Sequence, residues 1–334
     1  MFKIIYNFIK DFFSEVGHTE FILNINIKED ALEYGILYGF NNLELLCFGI
    51  NNKWRTHQGI IYDYGQFHIV LTEIIEKIFQ DYGIKCKKVL IFISIPGIQI
   101  INYHEKIHQN DNIPTFFHND HTFEMIHDCG KIYLLNGIMP VENINNTVYE
   151  TLDIYEAYYI INNILRDNLS KQLDGLALNI IGFNCPQYLL GASLSHHLNK
   201  DTILLDINWE FTVITIHHNK FSYGYFYWSK GINFFYNKNE INKDLFHNFL
   251  LEISDIIKKY PKTTVIIGGS QPKDFQWINH LQKYHPNKFF YLNGLTNGKN
   301  NNIFFNLLNF YNGSINFQEE EQDEIVEVLE NILL

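Results

Sequence analysis

The chain has 334 residues, of which 46% are hydrophobic and 19% charged, and this is the composition of a globular protein with a sizeable core. Its net charge of −12 comes without a basic stripe, which argues against nucleic acid as the main partner. No apolar run approaches the roughly 20 residues that a membrane-spanning helix needs, and the four cysteines are too far apart to predict a zinc site or a disulfide framework.

The first predicted element is an amphipathic helix over residues 1–18. Its apolar residues, in MFKIIYNFIKDFF, recur at helical spacing and are interrupted by Lys3, Lys10 and Asp11. The stretch lacks the small-residue cleavage site of a signal peptide. Such a helix either packs against its own domain or makes a peripheral contact with a membrane or a partner protein, and the sequence leaves both open.

A pattern of three strands, a helix and a strand follows between residues 21 and 97. The runs FILNINI, EYGILYGF and LELLCFGI are rich in β-branched and aromatic residues and predict antiparallel strands. FHIVLTEIIEKIFQDYG has helical periodicity and stops at Gly83. KKVLIFISIPG then predicts a buried strand.

The segment from about 100 to 150 is polar and has no clear periodicity. After it, TLDIYEAYYIINNILRDNL predicts a helix from Thr151, GLALNIIGF predicts a strand, and PQYLLGASLSHHL predicts a helix that begins at Pro186.

Within the polar segment, HNDHTFEMIHDC holds His118, Asp120, His121 and His127. Such side chains can bind zinc or iron. Neither an HExxH motif nor a CxxC pair accompanies them, and 15 histidines make chance clustering easy. The sequence favours a polar surface segment and leaves a metal-dependent enzyme as an alternative.

The strand and helix pattern returns between residues 202 and 269. TILLDINWEFTVITIHHNKFSYGYFYWSK predicts three strands, NKDLFHNFLLEISDIIKKY an amphipathic helix, and TTVIIGG a further strand. The two stretches share this pattern without identity at the level of residues.

This duplication resembles the superfamily of actin, sugar kinases and Hsp70. The resemblance implies an α/β, ribonuclease H-like fold whose two βββαβ halves surround a central cleft. Residues 19–150 would form the first half, with a small variable insertion, and residues 151–334 the second. In the family, the first hairpin of each half carries an aspartate followed by glycines, which let backbone N–H groups approach the phosphates of a nucleotide.

Four residues are the predicted remains of a nucleotide site. The hairpin ILLDINWEFTVITI keeps the family's aspartate as Asp206 and a hydroxyl residue as Thr212. The strand VIIGG keeps Gly268 and Gly269, where the family packs adenine against backbone. Each also has a simpler interpretation, because aspartate is common in turns and paired glycines suit a tight exit from a strand.

The missing glycines argue against hydrolysis of ATP. Trp209 would block the close approach of a phosphate, and Glu210 would place a negative charge beside it. In the first hairpin, Asn26 replaces the second metal-positioning aspartate. Lys28 either makes a substitute phosphate contact or is a solvated turn residue. The sequence favours a protein without a cofactor and leaves residual binding of ATP and magnesium open.

Within the superfamily the sequence is most similar to the bacterial PilM and FtsA group. MFKIIYNFIKDFF resembles the helix that begins many PilM proteins, GIIYDYGQFHIVLTEIIEKI a loop-to-helix step of that group, and KKVLIFISIPGIQI the FtsA strand before its inserted subdomain. The resemblance implies a cytoplasmic, non-catalytic scaffold. Its partner would be a protein, expected to be membrane-anchored, of a pilus, secretion or division assembly, and oligomers are compatible with it. An active ATPase or small-molecule kinase is the alternative.

Overall fold

The computed structural model describes residues 21–38, 44–57, 60–109, 111, 122–136, 139–141, 144, 148–198, 200–218, 221–237, 240–268 and 289–291. The helix predicted over residues 1–18 and Gly269 lie outside this part of the chain, as do His118, Asp120 and His121. Within it, no helix has the length and apolar character needed to span a membrane.

The described residues form the following elements in chain order. The strands are β1 (Phe21–Ile27), β2 (Leu32–Tyr38), β3 (Glu44–Asn51), β4 (Lys88–Ile93), β5 (Ile98–His108), β6 (Phe123–Leu135), β7 (Met139–Val141), β8 (Thr151–Asn162), β9 (Asn179–Asn184), β10 (Thr202–Ile207), β11 (Thr212–His218), β12 (Phe221–Trp228), β13 (Tyr236–Asn237), β14 (Glu240–Ile241), β15 (Thr264–Gly268) and β16 (Phe289–Tyr291). The helices are α1 (Tyr64–Tyr82), α2 (Asn163–Asp174), α3 (Pro186–Leu198), α4 (Ile232–Phe235) and α5 (Lys243–Lys259).

Two five-stranded sheets repeat one topology. The first sheet has the order β3-β2-β1-β4-β9, and the second has the order β12-β11-β10-β15-β16. In each, the first three strands along the chain pair antiparallel, and the fourth joins the first of them in parallel. The α/β fold with a duplicated βββαβ core is therefore confirmed. The division of the chain at residue 150 stays a prediction.

Each repeat carries one long amphipathic helix. The side chain of Asp63 caps α1 by accepting a hydrogen bond from the backbone N–H of Gln66 at 2.8 Å, and Gly83 ends the helix at a φ of 70°. Asn242 caps α5 in the same way. The buried face of α1 packs with β1 and β2 in the first core, and that of α5 packs with β10 and β11 in the second.

A third sheet, with the order β5-β8-β6-β7, lies in the chain between β4 and α2. The helix predicted from Thr151 is wrong over its first part, because Thr151–Asn162 is strand β8 and a helix begins only at Asn163. β8 is paired on both sides and is buried along almost its whole length. Burial on both faces leaves no polar-apolar alternation along TLDIYEAYYIIN, and without that alternation periodicity cannot distinguish a buried strand from a buried helix.

Candidate functional site

Equivalent turns lie at the ends of the central strands of the two repeats. The first turn, residues 28–31 (KEDA), joins β1 to β2, and the second turn, residues 208–211 (NWEF), joins β10 to β11. In each turn the N–H of the first residue donates to the C=O of the fourth, at 3.0 and 2.9 Å. Both turns therefore have the same closure despite their different sequences.

Asp206 lies immediately before the last residue of β10, beside Gly268 in the pairing with β15. Its Oδ2 accepts a hydrogen bond from Nε2 of Gln187 at 2.7 Å. Burial raises the pKa of Asp206, while the side chains of Gln187 and Asn208 and the charge of Lys28 act in the opposite direction. The carboxylate at the predicted metal-positioning place is thus held by neighbours within the protein.

Asn26 has the equivalent place in β1, and its surroundings differ. Its Nδ2 donates to Oε2 of the buried Glu33 at 2.8 Å, and Nζ of Lys28 lies 2.5 Å from Oε1 of the same carboxylate. Lys28 therefore neutralises a buried acid of its own hairpin.

The other predicted site residues have separate surroundings. Thr212 is fully buried, and its hydroxyl donates to the C=O of Lys230 at 2.9 Å. A Cβ added at Gly268 would come within 3.6 Å of Oδ1 of Asp206, which is an ordinary contact. The structure thus brings Asp206 and Gly268 together, directs the hydroxyl of Thr212 to the backbone, and does not describe Gly269. Their role as a nucleotide site stays a prediction.

The two turns meet through Glu29, a residue of the first turn. The backbone N–H of Trp209 in the second turn donates to Oε2 of Glu29 at 2.8 Å, and the N–H of Glu210 also bonds to this carboxylate. Backbone N–H groups of a turn at this place are what the family uses to bind phosphate. Here an acidic side chain already accepts from them, so a phosphate does not fit the same donors while Glu29 stays in place.

Burial makes the side chain of Glu29 a weaker acid than an ordinary glutamate. Only 7% of the residue is exposed, and this burial raises the pKa of Glu29 from 4.5 to about 7. The hydrogen bonds from Trp209 and Glu210 lower the pKa, whereas the nearby charges of Glu210 and Asp30 raise it further.

Helix α4 fixes the position of the second turn. The N–H of Asn233 donates to the C=O of Trp209 at 2.9 Å, so both backbone polar groups of Trp209 are engaged. A Cβ added at Gly231 would overlap the backbone of Trp209 and Glu210. Glycine is needed at this position because the two backbone segments approach so closely.

A pocket of about 400 Å³ lies where the turns meet. Oε1 of Glu29 and Oγ1 of Thr56 are buried and have no hydrogen-bond partner among the residues that the structure describes. Trp209 is 42% exposed although it belongs to the lining. The first repeat contributes Glu29, Asp30, Arg55 and Thr56 to the pocket, and the second contributes Trp209, Glu210 and Asn233.

The described part of the chain holds no group of three or more His, Cys, Asp or Glu side chains arranged to bind a metal ion. The alternative metal site at His118–His127 lies outside it, except for the backbone of His127 and of its neighbours in β6. That alternative stays untested.

Sequence reasoning passed over Glu29. The two hairpins were aligned through Asn26 and Lys28, and in the same alignment Glu29 and Trp209 have equivalent positions in their turns. The available signal was the acidic residue Glu29 in the first turn, together with the absence of glycine from the second turn. The contact joins positions 180 residues apart, and no local pattern reports such a pairing.

No protein-family model matches the sequence, and a search of curated proteins found no match. Among solved structures, the chain is similar to the PilM–PilN type IV pilus biogenesis complex, with a TM-score of 0.52 and 12% identity over 82% of this chain and 88% of that chain. A protein with an actin-like ATPase fold from Bacteroides thetaiotaomicron matches with a TM-score of 0.46 and 12% identity, over 86% and 96%. The ethanolamine utilization protein EutJ from Carboxydothermus hydrogenoformans matches with a TM-score of 0.46 and 9% identity, over 81% and 84%. The chain has the actin-like ATPase fold and resembles PilM in structure, as the sequence predicted.

Proposed function

We propose that this chain is an actin-like scaffold protein that does not hydrolyse ATP and that binds a protein partner of a membrane-associated assembly. The observation that carries the first part is the hydrogen bond from the N–H of Trp209 to Glu29. In-line phosphoryl transfer needs phosphates held by preorganised donors and neutralised by metal ions. At this turn an internal carboxylate takes the donors, and Lys28 is engaged by Glu33.

The second part of the proposal rests on the resemblance to PilM. The matching solved structure is a complex of PilM with PilN in type IV pilus biogenesis. By analogy, this protein acts in the cytoplasm, beside a membrane-anchored partner of a pilus, secretion or division system. A peripheral membrane contact through the helix predicted over residues 1–18 belongs to the same proposal.

Calorimetric titration of the full chain with ATP, with and without magnesium, tests the first part. We expect no saturable heat at millimolar nucleotide and no release of phosphate. The alternative, an active ATPase or small-molecule kinase, requires magnesium-dependent binding in the same experiment. Saturable binding of Mg-ATP to the unaltered chain would show that the internal carboxylate yields its place to nucleotide.

Affinity purification of the tagged chain from its native cells tests the second part. The membrane fraction is solubilised in mild detergent, and co-purifying proteins are identified by mass spectrometry. We expect a protein with a membrane span and a cytoplasmic segment among them, in stoichiometric amount. Recovery of background proteins alone would contradict the partner assignment without affecting the nucleotide result.

A further inference from the structure

The pocket between the two turns, which we call the acidic pocket, has an excess of negative charge. Among its described lining residues, Glu29, Asp30 and Glu210 carry carboxylates and Arg55 carries the balancing guanidinium. His57 lies beside the pocket with Nδ1 3.4 Å from Oε2 of Glu210. Three acids facing one arginine favour a positively charged ligand and disfavour phosphate.

Two residues that line the acidic pocket each have one buried polar atom without a partner among the described residues. These atoms are Oε1 of Glu29 and Oγ1 of Thr56, in residues that are 7% and 6% exposed. A buried acceptor without a hydrogen bond is costly, so buried polar atoms of this kind usually have a partner. A ligand that carries several N–H donors would satisfy Glu29 at the same time as it balances its charge.

The shape and lining of the pocket indicate an organic cation. Its volume of about 400 Å³ is within the range of small-molecule sites and far exceeds that of a metal ion. The described carboxylates also lack an arrangement suited to a metal. Trp209 is a lining residue with 42% of its surface exposed, and indole is the side chain with which cations interact most favourably.

We infer that the acidic pocket binds the guanidinium or ammonium group of an organic cation between Glu29 and Trp209. The cation comes either from an arginine or lysine side chain of the partner or from a free alkylamine. The inference rests on the proposed function, because it requires that the pocket is free of nucleotide. It extends that function by naming the chemical group, a guanidinium or ammonium, that the pocket would bind.

Two matched pairs of probes test the inference. The first pair is butylguanidinium and butylurea, which have closely similar shapes and differ in charge. The second pair is acetyl-Gly-Arg-Gly-amide and its citrulline counterpart, which place the same contrast on a peptide. Binding is measured at pH 8 by calorimetry and by quenching of tryptophan fluorescence, with a Trp209→Phe variant to assign the optical signal. We expect saturable binding of the charged member of a pair and none of the neutral member.

Three variants identify the pocket as the place of binding. Glu29→Gln keeps an acceptor for the N–H of Trp209 and removes the charge, so we expect binding to weaken by about tenfold, the order of effect of losing one charge-assisted hydrogen bond. Arg55→Gln removes the opposing charge and should strengthen binding. Glu105→Gln is the control, because Glu105 is an exposed carboxylate of β5 outside the pocket lining, and it should leave binding unchanged.

Each outcome has a definite meaning. The more tightly bound charged probe identifies the source of the cation, peptide or free amine. Equal binding of the charged and neutral members, or an unchanged affinity in a folded Glu29→Gln variant, overturns the inference. If no probe binds and ATP does not bind either, the inference fails and the proposed function stands. If Mg-ATP binds to the unaltered chain, the first part of the proposed function fails, and the inference fails with it because it requires a pocket that is free of nucleotide.

Discussion

Glu29 contacts the second repeat from the first, where the equivalent turns of the two repeats meet. Its carboxylate accepts the N–H of Trp209 at 2.8 Å, and Asp30 and Glu210 add negative charge around it. Burial raises the pKa of Glu29 to about 7, so its protonation changes in the neutral range. The stability of the protein should therefore depend on pH through this residue.

A Glu29→Gln variant tests this dependence. The folded pKa of about 7 is above the ordinary value of 4.5, so the folded state binds the proton more tightly than the unfolded state. The stabilising contribution is then fully present below pH 4.5 and is lost as the pH rises through about 7. Relative to the unaltered protein, we expect the variant to be more stable at pH 8 than at pH 5, by up to about 3 kcal/mol in the free energy of unfolding.

Urea unfolding at the two pH values measures the difference. Glu105→Gln, which removes an exposed carboxylate of β5 away from both turns, is measured alongside as the control. An equal effect of Glu29→Gln at pH 5 and pH 8 would mean that the carboxyl titrates normally in the folded protein.

At the scale of elements, helix α3 packs closely on strand β11. His217 of β11 is fully buried, its Nε2 lies 2.8 Å from Oγ1 of Thr215, and burial lowers its pKa to about 3. Gly191 of α3 lies directly against its imidazole, since an added Cβ would overlap the ring. The glycine permits the helix to approach the sheet at this distance.

Gly191→Ala should therefore destabilise the protein although alanine favours helices. Overpacking of a buried site costs about 1–3 kcal/mol, which exceeds the roughly 1 kcal/mol that alanine adds to a helix interior. Gly65→Ala in α1 is the matched control, because its Cβ would meet only Oδ1 of Asp63, at 3.4 Å, and we expect it to be neutral or stabilising. The midpoints of urea unfolding compare the two. A stable Gly191→Ala variant would show that His217 moves aside without cost.

At the scale of the whole molecule, a buried hydrogen bond connects the third sheet to the second. The hydroxyl of Tyr159 in β8 donates to Oγ of Ser222 in β12 at 2.9 Å, and both residues are fully buried. The ring of Tyr159 also packs against Tyr188 of α3, with ring centroids 4.6 Å apart. The third sheet thus contacts the second repeat directly, although β4 and α2, which flank it in the chain, pack in the first core.

A double-mutant cycle on Tyr159→Phe and Ser222→Ala measures this connection. Each single variant removes one partner of a buried hydrogen bond, and we expect a loss of about 1 kcal/mol in the free energy of unfolding. The double variant should lose less than the sum, since the second change leaves no further unpaired group. Tyr62→Phe, at a tyrosine that is 64% exposed, is the control. Additive losses would show that the two hydroxyls do not interact in solution.

Local sequence predicted the repeated core correctly where burial follows a regular period. α1 and α5 each have one apolar face. The side chains of Asp63 and Asn242 accept hydrogen bonds at the start of α1 and α5, and Gly83 ends α1 in a left-handed conformation. The strands of the two hairpins were predicted by their β-branched residues and turns. Strand β8 was not, because residues on both of its faces are buried, which removes the alternation that identifies a strand.

The sequence by itself determined the order of elements in the two repeats and the absence of glycine from the second turn. Only the tertiary structure decided that the side chain of Glu29 accepts hydrogen bonds from the backbone of that turn. Glu29 and Trp209 are 180 positions apart, and their contact exists because two sheets of the same topology bring equivalent turns together. Periodicity reports which side of an element is buried, whereas the partner of a buried charge depends on how separate elements pack.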